Sequence, residues 1–232
     1  MEIPKIIHQI WLGPNKRPDI WMNSWKIDYI NKYPDWEYKL WTEKEINELN
    51  LINKKQYEHE QFYNGKSDIA RYEILNKFGG VFIDADSLWI NHSLDDILNK
   101  SKDCGMFCAE EPVNKWSIAN GVIGFFKDHI ILKEIINHIT NNYFNLKKKL
   151  KKEKDIWRVT GTEPFTKIVK NAKNKLILES YYFYPESFHK NNLSLDSQNF
   201  KNLYPNSIMF QYGYTTNNIL HNNIMKIHID KV

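Results

Sequence analysis

The tripeptide Asp84-Ala85-Asp86 carries the strongest chemical signal in this chain. It follows directly on Val81-Phe82-Ile83, an apolar run of the kind that forms a short strand covered on both faces. In α/β sheets, ligands bind beyond the carboxyl ends of strands, so an acidic turn placed there opens on a crevice. Two carboxylates one residue apart repel, and the repulsion raises one of their pKa values. A shared divalent cation removes that cost. Hard oxygen ligands of this type suit Mg2+ or Mn2+ bound together with a diphosphate. Asp68 and Arg71 add a second polar pair, three residues apart on one helix face. On a free surface such a pair contributes only about 0.3–0.5 kcal/mol; at a cleft wall it would hold sugar hydroxyls and orient a charged donor.

An isolated Asp-x-Asp is common in turns, so the elements around this one decide its meaning. Residues 67–77 read as a helix, with Ser67 as N-cap and Asp68 at the positive end of the dipole. Ile69, Tyr72, Leu75 (or Ile74) and Phe78 recur at helical spacing, and Gly79-Gly80 supplies a left-handed stop before the strand. Upstream, residues 5–12 form a first strand between Pro4 and Gly13-Pro14. Pro18 opens a helix to about Tyr33, with Ile20, Trp21, Trp25 and Ile30 inward. Residues 36–41 alternate as a second strand, and Thr42-Glu43-Lys44-Glu45 is a capping box. Downstream, 104–109 and 120–126 read as strands, and 128–152 and 161–172 as helices. From about residue 175 the chain is rich in Tyr and Asn and poorly periodic, an irregular part expected to complete the active site. The alternation predicts a single α/β domain over residues 1–232, its mainly parallel sheet flanked by helices.

Composition is compatible with this. At 232 residues, 42% hydrophobic and 26% charged, the chain suits a globular domain with a sizeable core. Aromatic residues reach 14%, supplying many flat faces on which sugars and bases pack. A formal charge of +4 fits an anionic small ligand and is too weak to indicate nucleic acid. One dense basic run, Lys147, Lys148, Lys149, Lys151, Lys152 and Lys154, reads as a solvated helix end, with a membrane-surface or anionic-polymer patch as the sharper alternative. Cys104 and Cys108 lack nearby His partners, which excludes a zinc site and points to reduced, buried thiols in a cytoplasmic compartment. Neither a secretory leader nor a membrane span is legible.

The stretch Ser67-Asp68-Ile69-Ala70-Arg71-Tyr72 through Gly79-Gly80-Val81-Phe82-Ile83-Asp84-Ala85-Asp86 resembles the signature of the sugar transferases with a DXD motif, glycosyltransferase family 32. Ile3-Pro4-Lys5-Ile6-Ile7-His8-Gln9-Ile10-Trp11-Leu12-Gly13 is similar to that family's first strand, so the likeness covers roughly residues 3–126. The family includes yeast-type initiating mannosyltransferases and bacterial capsule transferases, and is similar in fold to the clostridial glucosylating toxins. The resemblance implies a GT-A fold, a Rossmann-like mixed sheet with one donor site, and Mn2+ or Mg2+ as cofactor. It implies that Trp11 stacks on the nucleotide base, that Asp68 and Arg71 bind the transferred sugar, and that Phe82 stands beside the ribose, where relatives often have Tyr. By the same likeness Asp84 contacts ribose and metal, Asp86 is the main metal ligand, and Asn120 borders the sugar and acceptor. The catalytic set is then Asp68, Arg71 and Asp86. Relatives complete the metal shell from a His-His-Trp segment after a Tyr-Pro segment. Tyr184-Pro185 is present here, but the later stretch is Ser207-Ile208-Met209-Phe210-Gln211-Tyr212-Gly213-Tyr214, which leaves Gln211, His221 or His228 for the third ligand. Thr160-Gly161-Thr162 stands where relatives often have Thr-Gly-Pro.

The expected reaction is transfer of a hexose from a UDP- or GDP-sugar to a hydroxyl of a glycan, lipid-linked or protein acceptor. The resemblance implies retention of configuration, and the lack of a carboxylate nucleophile at a motif position favours a front-face route. Two alternatives remain at this point. One is a phosphatase of the haloacid dehalogenase type, which also places Asp-x-Asp after an apolar strand. The other is a binding protein that holds a glycan or nucleotide without turnover.

Overall fold

The computed structural model describes residues 2–150, 152–186 and 200–213. In chain order its strands are β1 (Ile6–Ile10), β2 (Glu37–Trp41), β3 (Gly80–Ile83), β4 (Ser87–Trp89), β5 (Met106–Glu110), β6 (Ile118–Phe125), β7 (Leu176–Leu178) and β8 (Met209–Gln211). The α-helices are α1 (Asp19–Asn23), α2 (Ile30–Lys32), α3 (Glu43–Asn47), α4 (Lys54–His59), α5 (Tyr63–Phe78), α6 (Asp95–Lys100), α7 (Ile130–Lys149), α8 (Thr162–Asn171) and α9 (Phe200–Leu203).

Six strands form one sheet in the order β2-β1-β3-β6-β5-β7. β1 runs parallel to β2 and β3, and β5 parallel to β7, while β6 is antiparallel to both β3 and β5. The sheet is therefore mixed, as the family resemblance implies, and not mainly parallel as the alternation of elements alone suggests. The reason lies between β5 and β6: a parallel return needs a crossover of a dozen or more residues, and residues 111–117 are too few.

Strand alternation assigns the two cores. Phe82 points to the layer of α5, α7 and α8, where it meets a cluster containing Ile69, Tyr72, Leu75, Ile135 and Phe165. Val81 and Ile83 point to the other layer, with Trp25, Tyr29, Trp36 and Phe183. The segment after Pro18 is helical from Asp19 to Lys32, as expected, but its middle, Ser24–Tyr29, is π-helical. The capping box forms as read: Thr42 accepts from the Lys44 amide, and Glu45 reaches back to the Thr42 amide at 2.9 Å.

α5 differs from the reading. It starts at Tyr63, not at Ser67, so Ser67 is no N-cap and Asp68 lies in the second turn. Gly65 hides this start from propensity arguments. It is needed because a Cβ there would sit 2.8 Å from Ile156 and 2.9 Å from Glu60. The far end agrees with the sequence: Gly79, at φ +66°, ends the helix.

Beneath this junction His8 is fully buried, accepting from Trp41 Nε1 on Nδ1 at 3.0 Å. That fixes Nε2 as the protonated nitrogen, 2.9 Å from the Gly79 carbonyl. A second, two-stranded sheet pairs β4 antiparallel with β8, setting Gln211 opposite Ser87. Cys104 and Cys108 are both free thiols, Cys108 buried and Cys104 partly so.

Candidate active site

The acidic turn faces a crevice, as its position after β3 requires. A cleft of about 470 Å3 is lined by Ile10, Trp11, Leu12, Asn15, Phe62, Tyr63, Asn64, Ser67, Arg71, Asp84, Ala85 and Asp86. β1 contributes the wall that ends in Trp11, α5 contributes its first turns, and β3 delivers the two carboxylates. The Asp84 amide donates to the Gly121 carbonyl at 2.8 Å, which clamps the turn to β6. A Cβ on Gly121 would lie 2.5 Å from Asp84 Oδ2, so glycine is needed for this approach.

Arg71 organises the cleft floor. The guanidinium stacks 4.3 Å over the Phe82 ring and donates to the Asn120 carbonyl at 2.7 Å. Its Nη2 lies 3.3 Å from both Asp68 Oδ1 and Asp84 Oδ1. Both Asp68 and Arg71 are buried, at 6% and 5% exposure, so the surface-pair reading does not apply. Asp68 also accepts from Asn120 Nδ2 at 2.9 Å and from Thr160 Oγ1 at 3.0 Å. Its place is behind the guanidinium, as its brace. Phe82, 1% exposed, lies under Arg71, and neither it nor Asn120 forms part of the cleft lining. Trp11 does line the cleft, its Nε1 held by the Asn15 carbonyl at 3.0 Å.

Burial is the main force on Asp84 and, aided by Asp86 and Asp68, lifts its pKa to about 7 against the opposing pull of Arg71. Its side chain retains 30% exposure, so the carboxylate still reaches the cleft. Burial likewise drives the Asp68 pKa upward, opposed by Arg71, Thr160 and Asn120. Asp68, Arg71, Asp84 and Asp86 together sum to a formal −2, a charge that a divalent cation would offset.

Gln211, brought in by β8, donates from Nε2 to Asp86 Oδ1 at 2.5 Å. Its Oε1 is buried without a hydrogen-bond partner. A half-turn of the amide would bring that oxygen to Asp86, where a shared cation would satisfy it. With Asp84 and Asp86 it makes an oxygen donor set suited to Mg2+ or Mn2+. Among the described residues no cluster of three or more His, Cys, Asp and Glu side chains could hold a metal ion, so the set is two carboxylates and an amide. His221, His228 and Tyr214 lie outside the described residues. Tyr63, Asn64, Asn15 and Phe62 were missed in the sequence reading: three sit on the helix start hidden by Gly65, and Asn15 sits in a turn without periodicity.

A mixed sheet of this order, with an Asp-x-Asp turn at the end of an inner strand, has the GT-A architecture of a class of glycosyltransferases. Solved structures agree on the fold. A glycosyltransferase involved in the glycosylation of the major capsid of PBCV-1 matches with a TM-score of 0.51 and 11% identity, over 97% of this chain and 98% of that one. The PaToxG glycosyltransferase matches with a TM-score of 0.53 and 17% identity, over 72% of this chain and 69% of that one. Residues 18–103 match the family described as glycosyltransferase sugar-binding region containing DXD motif. Inositol phosphoceramide mannosyltransferase 3 of Schizosaccharomyces pombe is 32% identical over 147 residues, 62% of this chain. The match spans 39% of that relative's length. The chain is thus similar to the DXD-motif glycosyltransferases over the stretch that carries the acidic turn. The fold goes against the phosphatase alternative.

Proposed function

We propose that the chain transfers a hexose from a UDP- or GDP-sugar to an acceptor hydroxyl, assisted by Mn2+ or Mg2+. The observation that carries this reading is one cleft lined by Trp11 together with Arg71, Asp84 and Asp86. Trp11 offers a face for the base, and the acidic pair, with Gln211, offers oxygen ligands for the cation. When bound, the cation supplies positive charge against the diphosphate as it becomes the leaving group. Arg71 orients the donor with a guanidinium held rigid by Asn120, Asp68 and Phe82. Phe62 and Tyr63 exclude water from one side of the sugar. The name of the yeast relative supports a hexose as the transferred group. Retention of configuration by a front-face route belongs to the same reading, since Asp68 is buried against Arg71, Asn120 and Thr160 and is poorly placed to attack an anomeric carbon.

The test is a hydrolysis and transfer screen of nucleotide hexoses with Mn2+, with Mg2+ and with chelator. Cation-dependent release of nucleoside diphosphate from at least one donor is the expected result. Tight donor binding without release under any cation would instead establish a non-catalytic binding protein.

A further inference from the structure

We propose that the basic end of α7, with the turn that follows it, is a docking surface for an anionic lipid bilayer, set so that the cleft mouth faces the membrane. Residues 147–158 contain six lysines and Arg158 against Glu153 and Asp155, a formal +5, while the entire chain carries +4. The positive charge of the protein is thus concentrated in one short segment. Lys148, Lys149 and Lys152 are exposed. Lys147 is anchored: its Nζ sits 2.9 Å from both oxygens of the buried Glu60, which also accepts from Tyr143 at 2.8 Å. Facing acids are few: Glu60 holds Lys147, Glu163 pairs with Arg158 at 3.1 Å, and Glu58 on the adjoining α4 lies 3.9 Å from Lys54.

Apolar rings are interleaved with this charge, the composition of a surface that lies at a membrane interface. Phe144 is 40% exposed and Trp157 46%. Phe144, Lys147, Lys148 and Leu150 line a groove of about 280 Å3 with His59 and Gln61. The next residues along that strand of chain, Phe62, Tyr63 and Asn64, line the cleft, so residues 59–64 form a wall shared by groove and cleft. Lys147 Nζ sits 5.2 Å over the Phe62 ring. At the other end of the segment, the Trp157 backbone packs on Gly161, which abuts Asp68. One flank of the basic segment therefore adjoins the cleft wall, and the other packs behind the Asp68–Arg71 pair. A bilayer held there would present a membrane-borne acceptor hydroxyl at the cleft; this last step rests on the transferase reading, whereas the docking itself does not.

Co-sedimentation with vesicles of phosphatidylcholine, alone or with about one-third phosphatidylserine, tests the docking. Binding to the anionic vesicles is expected to be at least about tenfold tighter and to weaken with salt. The exposed double variant Lys148→Glu/Lys149→Glu is expected to lose about tenfold or more on those vesicles, and Trp157→Ala to lose severalfold. Equal binding to both vesicle types, no effect of charge reversal, or preference for soluble heparin over anionic vesicles would overturn the proposal. Release of nucleoside diphosphate in solution is measured on the same samples and is expected to be unchanged by the double variant. Vesicle binding without turnover in the wild type would reject the transferase reading and leave the docking standing.

Discussion

Arg71 is the residue on which the site depends most. One guanidinium faces two carboxylates, Asp68 and Asp84, lies on an aromatic ring and binds a strand carbonyl, all with 5% exposure. Removing one partner of a buried pair leaves an uncompensated charge, which costs about 3–5 kcal/mol. Arg71→Met is expected to lose stability on that scale in urea unfolding, along with donor binding. Arg71→Lys restores charge but not the planar fork, and is expected to recover only part of both. A stability loss below about 1 kcal/mol for Arg71→Met would show that the pairings contribute little. At this scale the sequence was informative where spacing is local. Asp84, Asp86, Asp68 and Arg71 stand in one short stretch, and their types alone indicate oxygen ligands and an orienting cation. Gln211 was legible only by likeness, because its contact with Asp86 spans 125 residues and depends on pairing of β4 with β8.

Elements determine how closely those residues approach. The Asp84 turn is locked to β6 through Gly121, with no room for a methyl group. Gly121→Ala is expected to push Asp84 out of place and lower turnover at least about tenfold, as small displacements at a reacting centre do. Unfolding midpoints should change less than activity; equal turnover in the variant would contradict the close approach. At the helix scale, Thr42→Ala removes the α3 cap and should cost about 1 kcal/mol with no effect on turnover, read by thermal unfolding and a donor assay. Caps, stops and strands with strong local signals were legible, as α3, the Gly79 stop and β3 demonstrate. The early start of α5 was not, since Gly65 weakens helix propensity and is required instead by Ile156 and Glu60 from distant parts of the chain. The antiparallel run of β6 was likewise hidden, being decided by the length of a loop and not by the strand's own residues.

For the whole molecule, His8 ties β1, β2 and the end of α5 into one buried unit. Burial pushes its pKa down to about 4, helped by Lys39 and opposed by the Gly79 carbonyl. An unfolded histidine takes its proton near 6.5. As pH falls the unfolded chain is protonated first, so this contribution to stability is complete above about 6.5 and is lost as pH falls toward about 4, some 3 kcal/mol in all. Urea unfolding across that range should show the slope, and His8→Asn, which cannot titrate, should flatten it. An unchanged slope in the variant would assign the acid sensitivity to other groups. Beyond stability, the central claim concerns what the acidic turn holds. Isothermal titration of UDP and GDP into the protein, with Mn2+ and with chelator, and again with Asp86→Ala, measures it directly. Binding of one nucleotide strengthened at least about tenfold by Mn2+, and lost in the variant with its fold intact, is the predicted result; affinity indifferent to the cation, or preserved without Asp86, would contradict it.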